Sequence, residues 1–398
     1  MTVSPHERDP EDPAVAADGR RFIFACPNYA PRTCGVGDFS AHLAREFQKR
    51  GHQVTIHTRA PARSNPIAPK VAVVAHPDDG PTAVARSIWS EVLAARPTDL
   101  VIQYTPQMWN AWRFGHPAVP WLAAQAHAAG VRVSVIGHEL YFGSLRPDLL
   151  RASGLQRLQL ASLLSHCHRA FVTTETRMRG VAPLCRLFGL RVPSVVRVGA
   201  NATPRPRGPI GAGARIGVFS SSGVGKRFDL ILDAFTLIFQ QRPDAELVLI
   251  GDLGPPDRPD VRALTRAIES HPAARRIRIT GRLELDAVAR EIRDLDLYFH
   301  PMDTGANTRS STLPSPLGSG IPVVAFRGRE TDASLFQDEE NVLFASALTA
   351  PAFAVAALRV LRDPQLAARL STGARALYEH DLAWPCIADK LLAELEER

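Results

Sequence analysis

The chain has 398 residues, 45% of them apolar and 22% charged, which is enough to fill two domains with separate cores and is ordinary for a globular protein. No apolar run approaches the roughly 18 residues that a membrane span needs, and the scattered Cys26, Cys34, Cys167, Cys185 and Cys386 support neither a disulfide framework nor a zinc site. A formal charge of +7 is spread along the chain rather than gathered in a stripe, so it speaks against nucleic acid and leaves anionic small ligands or membrane-surface contact.

Residues 1–20 are polar, acidic and Pro-bearing, without a basic-then-apolar signal pattern, and read as a disordered leader on a cytoplasmic protein. RFIFA at 21–25 predicts a strand, followed by the loop CPNYAPRTCGVGDF and a helix over 39–50 with Phe39, Leu43 and Phe47 on its inner face. Gly35 and Gly37 stand just ahead of that helix, as a turn or as a place where backbone meets ligand. Asp38 can cap the helix or reach a sugar hydroxyl. GxGD is not GxGxxG, and the second strand, QVTIHT, ends without the acidic residue of a dinucleotide site.

Strands over 71–74, 100–104 and 131–136 then alternate with helices over 82–95 and 121–129, which predicts a parallel sheet covered on both faces. Ligands of such sheets bind beyond the carboxyl ends of the strands, and His138 stands two residues past one of them. It either contacts substrate or is a satisfied structural histidine. A helix over 149–165, a strand over 170–174, a helix over 175–187 and a strand over 194–198 complete this half. His166, Cys167 and His168 fall in a helical pattern and read as surface and core positions rather than as metal ligands.

The Gly/Pro-rich stretch 200–213 predicts an interdomain linker. Beyond it a strand over 215–219, the loop SSSGVGKR and a helix begin a second alternating half. Lys226 is one of only four lysines (Lys49, Lys70, Lys226, Lys390), and from its loop an ammonium can reach a diphosphate held on backbone amides. The loop is not a Walker A motif, since Ser220 stands where its first glycine belongs and Arg227 follows the lysine. Strands over 246–250, 277–280 and 297–300, with helices over 258–270 and 285–293, lead to HPMDTGANTRSSTLPSPLGSGIPVVAF. Its Gly/Ser/Thr loop between strand and helix suits an anion, or simply turns and caps. Three helices, over 351–361, 364–378 and 385–397, close the chain.

These pieces together resemble the GT-B-fold glycosyltransferases, in particular the large retaining group numbered family four. The resemblance lies in APRTCGVGDFSAHLAREFQKRGHQVTIHT, VIGHELYF, VGKRFDLILDAF, AELVLIGD, IRITGRLELDAVAREIRDLDLYFHP and GSGIPVVAF followed by DEENVLFAS. It implies two Rossmann-like doubly wound domains facing each other across a cleft: an acceptor domain over 21–199, the linker over 200–213 and a nucleotide-sugar domain over 214–380. A last helix, 381–398, is free to pack back on the first domain. The implied catalytic residues are His138 and Lys226. Donor binding falls to Gly35, Gly37, Ser221, Lys226, Arg227, Arg282, Asn307, Ser310, Ser311, Thr312 and Ser315, acceptor binding to Asp38, and there is no metal or cofactor. The aromatic loops carrying Trp109 and Tyr141 suit a ring-bearing acceptor, or are core packing.

Three departures stand out. Ser221 replaces an arginine usual five residues before the lysine, Asn307 and Ser315 replace two glutamates eight apart, and Pro314 and Pro316 shorten the following helix. The implied activity is a retaining, metal-independent transfer from a UDP-, dTDP- or GDP-sugar to a small soluble acceptor, natural-product or sugar-like, with no nucleic acid partner. A nucleotide-sugar 2-epimerase and a nucleotide-sugar-binding pseudoenzyme are the alternatives. A deoxyribose donor would suit the loss of the second glutamate.

Overall fold

The computed structural model describes residues 19–32, 34–109, 116–141, 147–208, 214–219, 225–309 and 311–397. The chain divides into two compact units, Met1–Phe171 with Pro183–Pro193, and Val172–Ala182 with Ser194–Arg398.

The first half runs β1 (Arg21–Ala25), α1 (Gly35–Lys49), β2 (Gln53–Arg59), β3 (Ala72–His76), α2 (Pro81–Ala95) and β4 (Asp99–Tyr104). It continues through α3 (Pro106–Trp109), α4 (Ala118–Ala128), β5 (Arg132–Gly137), α5 (Pro147–Leu164), β6 (Arg169–Val172), α6 (Glu175–Leu187) and β7 (Ser194–Val195). The sheet order is β3-β2-β1-β4-β5-β6-β7. Every residue of β4, DLVIQY, is buried, as expected of a central strand covered on both faces. Phe47 of α1 docks edge-on against Phe22 and Phe24 of β1, with centroids at 4.9 and 5.7 Å.

Two local expectations change. The helix expected from 39 begins at Gly35, so Gly35, Gly37 and Asp38 form its first turn rather than a loop ahead of it. A Cβ on Gly37 would lie 2.8 Å from the Asn28 carbonyl oxygen, so this turn can close only with glycine there. The helix expected over 149–165 ends at Leu164, so His166, Cys167 and His168, read in a helical pattern, lie beyond it. His168 N donates to Val133 O instead (2.7 Å), and burial pushes the Cys167 thiol up to about 12.

The second half runs β8 (Arg215–Phe219), α7 (Phe228–Gln241), β9 (Glu246–Ile250), α8 (Pro259–Glu269), β10 (Ile277–Ile279), α9 (Leu285–Arg293) and β11 (Leu297–Phe299). It ends with α10 (Pro314–Gly318), β12 (Val323–Phe326), β13 (Leu343–Ala345), α11 (Ala350–Arg362), α12 (Pro364–Leu377) and α13 (Trp384–Glu396). Its order is β10-β9-β8-β11-β12-β13, with parallel pairing throughout. The two faces are filled by alternate residues. Leu247, Leu249, Leu297 and Phe299 pack with Phe235 and Phe353, while Val248, Ile250 and Tyr298 pack with Leu317 and Phe336. Strand β13 lies within the DEENVLFAS motif, where periodicity alone predicts nothing because only three residues pair. Helix α10 spans five residues, with Pro314 at its first position and Gly320, at φ +72, just beyond its end.

The described part of 200–213 is not a loose tether. Trp384 Nε1 donates to Ala200 O (2.7 Å), the Ser315 hydroxyl to Ala202 O (2.9 Å) and Arg207 N to Ser319 O (3.1 Å), all within the second unit. Helix α13 likewise belongs to that unit and buries Trp384, Ile387, Leu391 and Leu395. No helix among the described residues is long and apolar enough to cross a membrane.

Ser315→Ala leaves the buried Ala202 carbonyl without its donor and should lower stability by about 1–2 kcal/mol, read as a shifted urea midpoint with an unchanged slope.

Candidate functional site

In a parallel sheet every strand delivers its carboxyl end, and the loop after it, to the same edge. In the second unit the loops after β8 and β11 are zipped together there. Asp303 N donates to Gly225 O (3.0 Å) and Arg227 N to Pro301 O (2.8 Å), with Lys226 bridged to Met302 between them. Gly225 has φ +80, which sets the turn that delivers Lys226. Lys226 is half-buried, and burial lowers its pKa, with the charge of Arg258 adding to the effect. A partly desolvated ammonium gains most from an incoming anion. Arg227, expected to assist, is instead closed on Asp229 through three contacts of 2.7 to 3.1 Å, because a planar guanidinium two residues from a carboxylate finds it first.

Beside Lys226 lies His300, which is 3% exposed. Burial, and next the Lys226 charge, push its pKa down to about 4 against a hydrogen bond with the Gly305 backbone. The ring is therefore neutral at pH 7.

The loop that follows is held by a buried carboxylate. Asp332 is fully buried and accepts from Thr308 N (2.9 Å) and Glu175 N (3.3 Å), with Arg197 Nη1 at 3.3 Å from its Oδ2. Arg197 also donates to Glu175 Oε1 (2.9 Å), and the Ser334 hydroxyl donates to the same atom. Burial raises the Glu175 pKa, but the Ser334 and Arg197 bonds outweigh it and the net shift is downward. Gly305, at φ +100, could not carry a side chain, since a Cβ would stand 2.2 Å from Thr331 Oγ1.

Asn307 is buried and internally engaged, donating to Gly305 O (3.3 Å) and accepting from Arg309 N (3.0 Å). Ser315, expected on a ribose hydroxyl, is 1% exposed and its hydroxyl donates to Ala202 O. Ser311 and Thr312 are half-buried, and the Thr312 side chain bonds the Tyr298 hydroxyl. Arg282 is exposed beyond the Gly251–Gly281 bridge. Ser221 and Ser310 lie outside the described residues.

In the first unit His138 follows β5, its N donating to Tyr104 O (2.9 Å) and its Nε2 standing 2.7 Å from Gln103 Oε1. Phe39 meets the His138 ring edge-on at 5.0 Å, which ties the first turns of α1 to this histidine. Asp38 is half-buried; burial raises its pKa and a bond from Asn65 (3.3 Å) opposes the rise. Gly35 is exposed, and a Cβ there would meet nothing within 4 Å. Tyr141 is half-buried, with Arg157 4.6 Å above its ring. Trp109 is 3% exposed and donates Nε1–H to Gln103 O (2.7 Å), which is the core-packing alternative for this residue.

Sequence reasoning does not single out His300, Asp332 or Gln103. Gln103 carries one signal, a polar side chain in an otherwise apolar strand end. Asp332 carries none, because its partners come from distant segments. Among the described residues no three His, Cys, Asp or Glu side chains are grouped so as to hold a metal.

Residues 214–363 match the family described as glycosyl transferases group 1. No curated protein matches the sequence. Among solved structures, Anabaena HepE in complex with UDP and glucose superposes with TM-score 0.70 at 14% identity, over 94% of this chain and 99% of HepE. A glycosyltransferase from Rickettsia africae gives TM-score 0.73 at 11% identity, over 96% and 100%. A putative UDP-N-acetylglucosamine 2-epimerase from Listeria monocytogenes gives 0.61 at 13%, over 95% and 96%. The fold is GT-B, with two Rossmann-like halves.

Two outcomes follow from the packing around the loops of the second unit. Asp332→Ala strands Arg197 beside Glu175 alone and should cost about 3–5 kcal/mol, read by urea unfolding. The depressed pKa of His300 makes the unfolded chain, which titrates near 6.5, bind a proton that the folded chain refuses until about pH 4. Its stability contribution is therefore complete above pH 6.5 and is lost as pH falls toward 4. Between pH 7 and 5 this amounts to about 2 kcal/mol, and His300→Gln should flatten the measured dependence by that amount.

Proposed function

We propose that the protein transfers a glycosyl group from a nucleotide-diphosphate sugar to an acceptor, without a metal and with retention at the anomeric carbon. The observation that carries this reading is the desolvated Lys226 ammonium, fixed at the carboxyl edge of the glycosyltransferase domain's sheet. Breaking the anomeric C–O bond leaves two negative charges on the departing nucleoside diphosphate. An ammonium already stripped of part of its water stabilises that charge more in the transition state than in the ground state. Ser311, Thr312 and the neighbouring amides would cradle the phosphates, Arg282 would flank the base, and Asn307 would shape the sugar side of the loop.

In the first unit, His138 would contact the transferred sugar. Asp38, with its raised pKa, would contact the acceptor hydroxyl beside the Gly35 and Gly37 turn and Tyr141. The acceptor class we favour is small and sugar-like or natural-product-like, and the compartment is the cytoplasm. HepE is recorded with UDP and glucose, which supports a nucleotide sugar as donor here.

Binding without turnover is the second reading. It is favoured by one observation: Asn307 and Ser315, where the resemblance implies glutamates, have their polar groups engaged by Gly305, Arg309 and Ala202. The epimerase reading has a fold neighbour, but the carboxylates of Asp332 and Glu175 are paired with Arg197.

Incubation with UDP-, dTDP- and GDP-sugars, following release of nucleoside diphosphate, separates these readings. Lys226→Ala should lower turnover by about three orders of magnitude with an unchanged urea midpoint. Near-normal turnover in that variant would reject the role.

A further inference from the structure

We propose that Gln103 is a positioning residue that sets the tautomer and the ring orientation of His138. The proposal rests on the reading of His138 as a sugar contact, but its central observation is independent of that reading. Strands β4 and β5 run parallel in the register Gln103↔Ile136 and Tyr104↔Gly137. His138, just past β5, is therefore brought alongside the end of β4, and its backbone N is tied to Tyr104 O at 2.9 Å.

Gln103 is 1% exposed and held at both ends. Its main-chain carbonyl accepts from the buried Trp109 indole (2.7 Å), and its side-chain carbonyl oxygen stands 2.7 Å from His138 Nε2. An amide oxygen has no proton to give, so the bond requires the ring to carry hydrogen on Nε2. In the neutral ring this assigns the lone pair to Nδ1, the tautomer that accepts from a sugar hydroxyl; on protonation Nδ1 becomes a second donor. Phe39 packs edge-on at 5.0 Å and restrains the ring about its remaining axis. The Gln103 bond and the Phe39 contact both bear on the ring's orientation.

Trp109 gains a purpose in this arrangement. Its N–H pins the Gln103 backbone, and the same residue's side chain pins the histidine. Among the described residues, the buried amide nitrogen of Gln103 has no hydrogen-bond partner. That cost is consistent with an amide oriented for its oxygen, since turning it over would leave the stronger acceptor unpaired instead.

The test is nitrogen-correlated NMR on the full chain labelled in histidine, with His138 assigned by its loss in His138→Gln. The native protein and Gln103→Glu, which keeps an acceptor at this position, should each show a slowly exchanging Nε2–H proton for His138. In Gln103→Leu that proton should be lost to exchange. A proton residing on Nδ1 in the native protein, or an Nε2–H signal of equal protection in Gln103→Leu, would overturn the proposal. With a nucleotide sugar that supports turnover, Gln103→Leu should lower kcat by about 100-fold with little change in donor KM, and Gln103→Glu should restore most of it. If the NMR pattern holds while no nucleotide sugar is turned over, the tautomer assignment stands and the glycosyltransferase reading of His138 fails.

Discussion

A carboxylate removed from water must be met by donors on every side, and Asp332 is met by groups that the chain supplies from three separate places. Thr308 comes from the loop after β11, Glu175 from the start of α6 and Arg197 from the stretch after β7. Each partner is positioned by its own element, so the loop that follows Thr308 inherits a fixed starting point. Without that anchor the Gly305 turn and the half-buried Ser311 and Thr312 would have no defined place relative to Lys226.

Lys226 depends on a different device. Its loop is paired residue by residue with 301–303, so the ammonium is delivered by backbone hydrogen bonds rather than by its own flexible stem. Neutral His300 lies against it without competing for an anion. The surrounding arginines are in turn occupied by nearby carboxylates, Arg227 by Asp229 and Arg258 by Asp260.

The first unit uses the same logic on a smaller scale. The clamp on His138 is assembled from a strand end, a short helix and the first turns of α1, with Gly37 allowing that turn to approach the Asn28 carbonyl. In both units the residues proposed for the site sit on loops or first helical turns, while the constraint comes from buried polar pairs beneath them.

The strand and helix alternation was legible in the amino-acid order because buried parallel strands and amphipathic helices carry periodicities of their own. Strands β1, β8 and β9 and helices α6 and α9 fall where the pattern alone puts them. Lys226 stands out in the amino-acid order because lysine is rare here, and the segment 300–312 because a Gly/Ser/Thr loop follows a strand. Ser315 and Trp109 were not, since whether a hydroxyl or an indole faces ligand or core depends on which carbonyl the folded chain brings within 3 Å. Asp332, Gln103 and the pairing of Arg227 belong to the same class. Hydrogen bonds and burial between residues far apart in sequence are fixed only when the sheets assemble, so the tertiary structure alone decided which polar groups are spent on the fold and which are left for chemistry.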